Sequence, residues 1–202
     1  SSLEAVGQPQ GTGLFSSRRR ASESSRRQRI EISEIIGLFV KICDAVAAAH
    51  VRGVIHRDLK PGNIRVDPRG EPHILDFDLA KIIPGDLDPE GRWMDMTETG
   101  EFLGSLRWSS PEQVERIPGK IDLRTDVYSL GVILYELLTG QPPYPALCSR
   151  RELEEHILTT EPIRPSKLRR RIADDLDTIL LKCLGKEPAR RYPSAAALAE
   201  DL

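Results

Sequence analysis

The sequence lacks any hydrophobic run long enough to cross a membrane, and its charges almost balance. A membrane-spanning helix needs roughly 18 or more consecutive apolar residues, and charged residues interrupt every apolar stretch of this chain before that length. The net charge of −2 over 202 residues gives no overall electrostatic attraction to nucleic acid or to a lipid surface. We therefore expect no membrane segment within this chain and no nucleic-acid partner.

Cysteine is scarce as well. Cys43, Cys148 and Cys183 are an odd number, stand far apart and form no CxxC pair. That pattern disfavours a disulfide framework and a zinc site, and it favours free thiols in a reducing compartment. We therefore expect the part of the protein that this chain forms to lie in the cytoplasm.

The chain also has no initiator methionine, since it begins SSLEAV and its only methionines are Met94 and Met96. We expect it to be a piece of a longer polypeptide. Residues 1–29 are rich in Ser, Arg, Gly and Gln and have little apolar area to bury, which predicts a flexible basic linker. The folded part is then expected to occupy residues 30–202.

Hydrophobic periodicity predicts that this folded part is mainly helical. Apolar residues recur at steps of three and four from Ile32 to Ala47, which indicates one face of a long helix with Ser33 as a possible cap. The stretch DVYSLGVILYELLTG (126–140) is apolar almost all round, which places it at the centre of the domain. Asp126 and Gly140 are its candidate caps. Three further amphipathic helices are expected, near 151–158, at 174–184 and from Ser194 onward.

One small β-hairpin is predicted between these helices. NIRVD (63–67) and HILDF (73–77) are short and rich in bulky or β-branched residues, and PRG between them supplies turn chemistry through Pro68 and Gly70. Residues 80–125 show little periodicity and many Gly, Pro and Thr, which is typical of a long irregular segment that is functional or disordered. The predicted fold class is thus mainly α with one hairpin.

The loop HRDLKPGN (56–63), followed by Asp76 in DFD, resembles the catalytic loop and metal-binding motif of eukaryotic-type protein kinases. Phosphoryl transfer needs a carboxylate that accepts the acceptor hydroxyl's proton, and oxygen ligands for the Mg²⁺ ions that bridge the phosphates. The resemblance implies that Asp58 is that carboxylate and that Lys60 lies near the transferring phosphate. It implies that Asn63 and Asp76 hold Mg²⁺, with ATP as the co-substrate.

The resemblance extends downstream in the family's order, over about residues 30–202. It implies a protein kinase-like fold, of which this chain holds the large, mainly α C-terminal lobe with one small β-hairpin, without the N-terminal β lobe. TETGEFLGSLRWSSPEQ (97–113) resembles the end of an activation segment and its substrate-facing loop, in which Ser105 stands at the position typical of serine/threonine-specific members. In this family the counterpart of Asp126 supports the catalytic loop, and the counterparts of Glu112 and Arg191 form a structural ion pair. The style of the sequence is similar to bacterial members of the family.

A regulatory role for three residues follows from the same resemblance. Kinases that carry an Arg at the position of Arg57 commonly use it to bind a phosphate on the activation segment. Thr97 and Thr99 are placed to accept that phosphate. The alternative, that TET is an ordinary loop, stays open.

Two departures from the family are visible. The family's small β lobe supplies a glycine-rich loop, a strand Lys and a helix Glu, and none of these is recognisable here. QGTGLF (10–15) has the glycines of such a loop, but only forty-two residues separate its Gly13 from His56, so a flexible linker is predicted there instead. Asp78 occupies the position of the Gly in Asp-Phe-Gly, where its charge could weaken phosphate binding or contribute to metal binding.

These patterns lead to one main hypothesis and two rivals. The parent protein is expected to be a serine/threonine protein kinase that uses ATP and Mg²⁺ on protein substrates, with the isolated chain close to inactive and a membrane anchor outside it left open. The first rival is a catalytically dead, kinase-like module that binds partners. The second is a small-molecule kinase of related fold, which the SPE-type motif disfavours because such enzymes lack an activation segment.

Overall fold

A computed structural model describes residues 13–77, 105–116, 119–145 and 147–202, with only the backbone for residues 13–30. Over these ranges it confirms the predicted fold class, since helices dominate and one two-stranded sheet accompanies them. Within these ranges, no helix is both long and apolar enough to span a membrane. The helices and strands are α1 (Gly13–Val51), β1 (Ile64–Val66), β2 (Pro72–Ile74), α2 (Pro111–Val114), α3 (Leu123–Thr139), α4 (Arg150–Thr159), α5 (Pro165–Leu168), α6 (Asp174–Cys183) and α7 (Ala195–Asp201).

Helix α1 begins earlier than the sequence pattern predicts. Its first residue is Gly13, within the segment predicted as linker, so Ser33 lies inside the helix and does not cap it. The physical reason is that no proline stands between Gly13 and Val51, and Arg, Gln, Glu and Ala all tolerate helix well. The division of the chain at residue 30 stays a prediction.

The apolar face of α1 is buried as predicted. Phe39, Ile42, Cys43 and Val46 follow the helical repeat and are almost completely shielded from solvent. This face packs against α3, α7 and β2. Burial of each large side chain of this kind contributes about 1.5–3 kcal/mol to folding, so the face fixes α1 on the rest of the domain.

Helix α3 forms the centre of the domain. Most of its residues, from Thr125 to Tyr135, are buried without interruption, as expected for a helix that is apolar on nearly every side. It contacts α1, α5, α6 and α7. Every group that projects from its first turns is therefore held by a rigid, enclosed support.

The N-terminal cap of α3 differs from the prediction. Asp122, and not Asp126, occupies the cap position, and its carboxylate accepts a hydrogen bond from the backbone N–H of Arg124 at 2.7 Å. Asp126 lies in the first turn, where its side chain bonds to a different part of the chain. The predicted C-terminal cap is confirmed, because Gly140 adopts a left-handed conformation with φ of 76°.

The β-hairpin follows the catalytic-type loop, as the sequence predicts. β1 and β2 pair antiparallel, with Ile64 opposite Ile74. Gly70 closes the turn at φ of 80°, a conformation that glycine adopts at little cost. The ammonium group of Lys41 on α1 lies 2.7 Å from the carboxylate of Glu71, so the turn is also tied to the helix beside it.

A second, smaller apolar cluster lies beneath the segment that resembles a substrate-facing loop. Leu106 from this segment joins Tyr144 and two residues of α4, Leu153 and Ile157. A reciprocal pair of hydrogen bonds between Ser149 and Glu152 begins α4 beside the cluster. The described part of this segment, from Ser105 onward, therefore rests on packed side chains.

The close contact between α3 and α6 generates a stability prediction. A β-carbon on Gly131 would lie 2.5 Å from the β-carbon of Cys183, whereas one on Gly37 of α1 would meet nothing within 4 Å. We expect Gly131→Ala to lower the free energy of unfolding by about 1–3 kcal/mol through overpacking. Gly37→Ala should raise it by about 0.5–1 kcal/mol through helix propensity. Urea denaturation of both variants measures the difference, and equal stabilities would contradict this account of the α3–α6 contact.

Candidate active site

The buried carboxylate of Asp126 holds the backbone of the loop that follows α1. One carboxylate oxygen accepts from the N–H of His56 and from the ring N–H of His50, and the other accepts from the N–H of Arg57, all at 2.8 Å. Asp126 is 0% exposed. Since it projects from the enclosed helix α3, it fixes two consecutive peptide groups of the loop relative to the core.

His56 is a structural link within the loop. Its Nε2 lies 2.8 Å from the carbonyl oxygen of Leu75, so this nitrogen carries the proton and donates it. The other ring nitrogen then accepts from the backbone N–H of Asp58 at 3.3 Å. The ring also packs on Phe77, with centroids 4.8 Å apart. His56 thereby joins the loop to the segment after β2 and carries no free proton for chemistry.

Three polar side chains meet at the open side of the loop. The ammonium group of Lys60 lies 2.7 Å from the carboxylate of Asp58 and 2.9 Å from the hydroxyl of Ser105. Asp58 and Lys60 are both partly exposed to solvent, so a bound molecule can reach them. The structure therefore brings together the residues predicted as base, phosphate contact and substrate-loop hydroxyl.

Asn63 and Asp76 have the chemistry that a magnesium ion requires. The amide nitrogen of Asn63 donates to the backbone carbonyl of Asp58 at 2.9 Å, which leaves the amide oxygen as the group available to a metal. The backbone N–H of Leu75 donates to the carbonyl of Asn63 at 2.8 Å, so the exposed Asp76 follows directly beside the loop. An amide and a carboxylate oxygen are hard donors that suit Mg²⁺, and the pair fits this ion.

Of the three residues predicted to be regulatory, the structure describes only Arg57. Arg57 lies in the loop with a left-handed backbone, φ of 66°, and its carbonyl oxygen accepts from the side-chain amide of Gln113 at 2.6 Å. Thr97, Thr99 and Asp78 lie outside the described residues. The phosphate-binding role of Arg57 and both phosphoacceptors therefore stay predictions.

Glu112 and Arg191 form the ion pair that the sequence predicts. Two parallel hydrogen bonds of 2.8 and 2.7 Å join the guanidinium to the two carboxylate oxygens, and both side chains are at most 2% exposed. The hydroxyl of Thr125 donates to the same carboxylate at 2.9 Å. The pair joins α2 to the segment before α7, across seventy-nine residues of sequence.

The remaining donors of this pair are satisfied as well. Arg191 also donates to the backbone carbonyls of Gly185, Lys186 and Arg124. Burial alone would raise the pKa of Glu112, but the hydrogen bonds and the charge of Arg191 outweigh it and leave that pKa below its usual value. The carboxyl group of Glu112 is therefore charged near neutral pH, and the pair has every hydrogen bond that a buried ion pair needs.

Sequence reasoning missed two residues that hold the site. His50 lies at the end of α1 and bonds to Asp126. In the sequence it follows the last residues of the apolar face of α1, and no motif marks it. Gln113 contacts the catalytic-type loop directly. A signal for Gln113 was present, because Ser110 followed by Gln three residues later is a helix capping pattern.

The architecture and these contacts define a kinase-type helical lobe with its catalytic loop and substrate-facing segment. Comparison with known proteins agrees, since the model of the protein kinase domain family matches residues 12–202. The chain therefore belongs to the protein kinase family.

Bacterial serine/threonine kinases are among its relatives. The chain is 36% identical to serine/threonine-protein kinase PknB of Mycobacterium leprae over 84% of its own length and 26% of the relative's. It is 35% identical to PknB of Mycobacterium tuberculosis over 83% and 25%, and 34% identical to a probable serine/threonine-protein kinase of Corynebacterium efficiens over 84% and 25%. The chain thus spans about a quarter of the length of the curated relatives it matches, and it is a bacterial-like member of the eukaryotic-type family.

The buried ion pair predicts a large and selective loss of stability. Arg191→Met removes the partner of a buried carboxylate, so we expect the free energy of unfolding near neutral pH to fall by about 3–5 kcal/mol. The matched control is Arg190→Met, because Arg190 pairs with Glu187 on the exposed surface and should change stability by less than about 0.5 kcal/mol. Urea denaturation of both variants measures the contrast.

The same variant has a predicted pH dependence. In the natural protein the pKa of Glu112 is lowered, so its stabilisation is present above the unfolded value of 4.5 and is lost as pH falls through the folded value. In Arg191→Met the carboxyl of Glu112 is buried and unpaired, so we expect its pKa to be raised. Protonation at low pH then removes the free-energy cost of the buried charge. The difference in unfolding free energy between the two proteins should therefore narrow as the pH falls from neutral toward 4. A gap that stays constant or widens down to pH 4 would contradict this account.

Proposed function

We propose that the protein containing this chain is a serine/threonine protein kinase that transfers the γ-phosphate of ATP to protein hydroxyls. The observation that carries the proposal is the position of Lys60, whose ammonium group contacts both the carboxylate of Asp58 and the hydroxyl of Ser105. A cation that bridges a potential base and the substrate-facing segment is suited to a reaction in which a negatively charged phosphoryl group passes from one bound molecule to another.

Each of these side chains has a definable part in the reaction. The acceptor hydroxyl oxygen attacks the γ-phosphorus, the bond from that phosphorus to the β–γ bridging oxygen breaks, and ADP leaves. The carboxylate of Asp58 orients the hydroxyl and accepts its proton. The ammonium group of Lys60 neutralises charge on the transferring phosphate. The hydroxyl of Ser105 keeps Lys60 in place and forms part of the surface that receives a Ser or Thr side chain.

Asn63 and Asp76 are the residues that would hold Mg²⁺ in this proposal. When it is bound, the ion neutralises the phosphate oxygens and orients the triphosphate. The hydrogen bond from Asn63 to the backbone carbonyl of Asp58 keeps the amide in a defined orientation. The same hydrogen bond therefore orients a proposed metal ligand and holds the backbone of the catalytic loop.

The rival from another class, a kinase-like binding module, finds less support. A module that only binds partners has no need for a solvent-accessible Lys60 that contacts both Asp58 and Ser105. Because the sequence shows no glycine-rich loop, strand Lys or helix Glu, we propose that these 202 residues alone are close to inactive. The coding sequence upstream decides between the rivals, since these three elements support the enzyme and their absence supports the module.

The partners and location follow from the same proposal. ATP and proteins with Ser or Thr acceptors are the expected partners. The cytoplasm supplies ATP and keeps thiols reduced, and Cys43 and Cys183 are free and buried in the described structure. We propose that this part of the protein works there.

Removal of the proposed base should abolish transfer. We expect Asp58→Ala, in the full-length protein, to lower kcat by at least about 100-fold while leaving the fold intact, because general-base catalysis contributes about 10²–10⁴-fold. The matched control is Asp44→Ala, since Asp44 lies exposed on α1 and should keep the natural rate. Incorporation of labelled phosphate and circular dichroism measure activity and fold. An Asp58→Ala protein with the natural rate refutes the assignment of the base.

Autophosphorylation tests the regulatory proposal. If Arg57 binds a phosphorylated activation segment, incubation of the full-length protein with ATP and Mg²⁺ should place phosphate on Thr97 or Thr99, because a phosphate there supplies a charge that the Arg57 guanidinium pairs with. Peptide mass mapping locates the modification, and the Asp58→Ala protein incubated alone is the control that should carry none. The absence of phosphate between residues 92 and 105 in the active protein would eliminate this regulation.

A further inference from the structure

Gln113 contacts two parts of the site that are far apart in sequence. Its amide oxygen accepts from the backbone N–H of Ser110 at 3.0 Å and from the Ser110 hydroxyl at 3.2 Å, at the start of α2. Its amide nitrogen donates to the backbone carbonyl of Arg57 at 2.6 Å, fifty-six residues earlier in the chain. A single side chain thus joins the substrate-facing segment to the catalytic loop.

The chemistry of this position requires an amide. A carboxamide has one end that accepts and another that donates, and Gln113 uses the first toward Ser110 and the second toward Arg57. A carboxylate of the same shape could still accept from Ser110, but it has no proton for the carbonyl. Apolar side chains would leave both contacts unmade.

The carbonyl that Gln113 binds belongs to a constrained stretch of backbone. Arg57 adopts a left-handed conformation, which side chains other than glycine rarely occupy without support from their surroundings. Asp126 binds the N–H groups on one side of this residue, and Gln113 binds the carbonyl on the other. The next residue is Asp58, so the two contacts together hold the backbone from which its carboxylate projects.

We propose that Gln113 is a positioning residue that couples the order of the substrate-facing segment to the placement of Asp58. The inference rests on the proposed kinase function. From Ser105 onward, where the structure describes the substrate-facing segment, the segment contacts the catalytic loop through Ser105 on Lys60 and through Gln113 on the Arg57 carbonyl. When the segment is in place, both ends of the base-bearing stretch are held, and when it shifts, the carbonyl loses its donor.

The test separates the two ends of the amide. Gln113→Glu keeps the acceptor for Ser110 and removes the donor for Arg57, whereas Gln141→Glu makes the same chemical change on the exposed turn after α3. In the full-length protein with ATP, Mg²⁺ and the Ser/Thr library peptide that it phosphorylates fastest, we expect Gln113→Glu to lower kcat about 10- to 100-fold, since a displaced catalytic group costs rates of this order. The KM values for ATP and peptide should change less than about twofold, because the binding surfaces remain.

Gln113→Met is the second variant, because it removes the donor together with the acceptor and brings no negative charge against a carbonyl. A fall in kcat in both folded variants, with unchanged KM values and a natural rate for Gln141→Glu, supports the inference. Natural kcat in either folded variant overturns it. If the unchanged protein transfers no phosphate at all, the proposed function fails instead, so the two failures are distinguishable.

Discussion

The hydrogen bonds from the catalytic loop to Asp126 are the constraint on which the site depends. A carboxylate in the first turn of the enclosed helix α3 accepts from two consecutive backbone N–H groups and from His50. A buried carboxylate without such donors would be costly, so the core and the loop stabilise each other. The positions of Asp58, Lys60 and Asn63 follow from that attachment, because they lie within the next few residues of the same tight loop.

The Glu112–Arg191 pair fixes the other half of the site to the same core. It attaches α2, and with it the substrate-facing segment, to the chain between α6 and α7. Such a buried pair contributes little net stability against a well-packed apolar alternative, although removal of one partner is expensive. Its value therefore lies in specifying one arrangement of α2.

Lys186, which lies beside this pair, illustrates the cost of burial. Burial disfavours its charged form and lowers the pKa of its ammonium group to about 8.

Local patterns predicted much of this fold, and their failures have physical causes. The apolar face of α1, the all-round apolar character of α3 and the hairpin turn at Gly70 depend on spacing and backbone chemistry within a few residues. The cap of α3 was misassigned because Asp122 and Asp126 both satisfy the local rule. They are distinguished only by the catalytic loop, which is distant in sequence and whose backbone N–H groups bind the carboxylate of Asp126. The start of α1 was placed too late because a polar, proline-free segment tolerates helix and coil alike.

The predicted site shows the same division between local and distant information. Motif spacing pointed to Asp58, Lys60 and Ser105, and the structure brings these three into contact. The contacts of Gln113 with Arg57 and of Asp126 with His56 hold the buried side of the loop. Each joins residues more than fifty positions apart, and no pattern within one segment encodes such a pairing. The loop is held by buried groups on one side and is open to solvent on the other. Phosphoryl transfer depends on this asymmetry, because the base must stay fixed while ATP and the acceptor enter and leave.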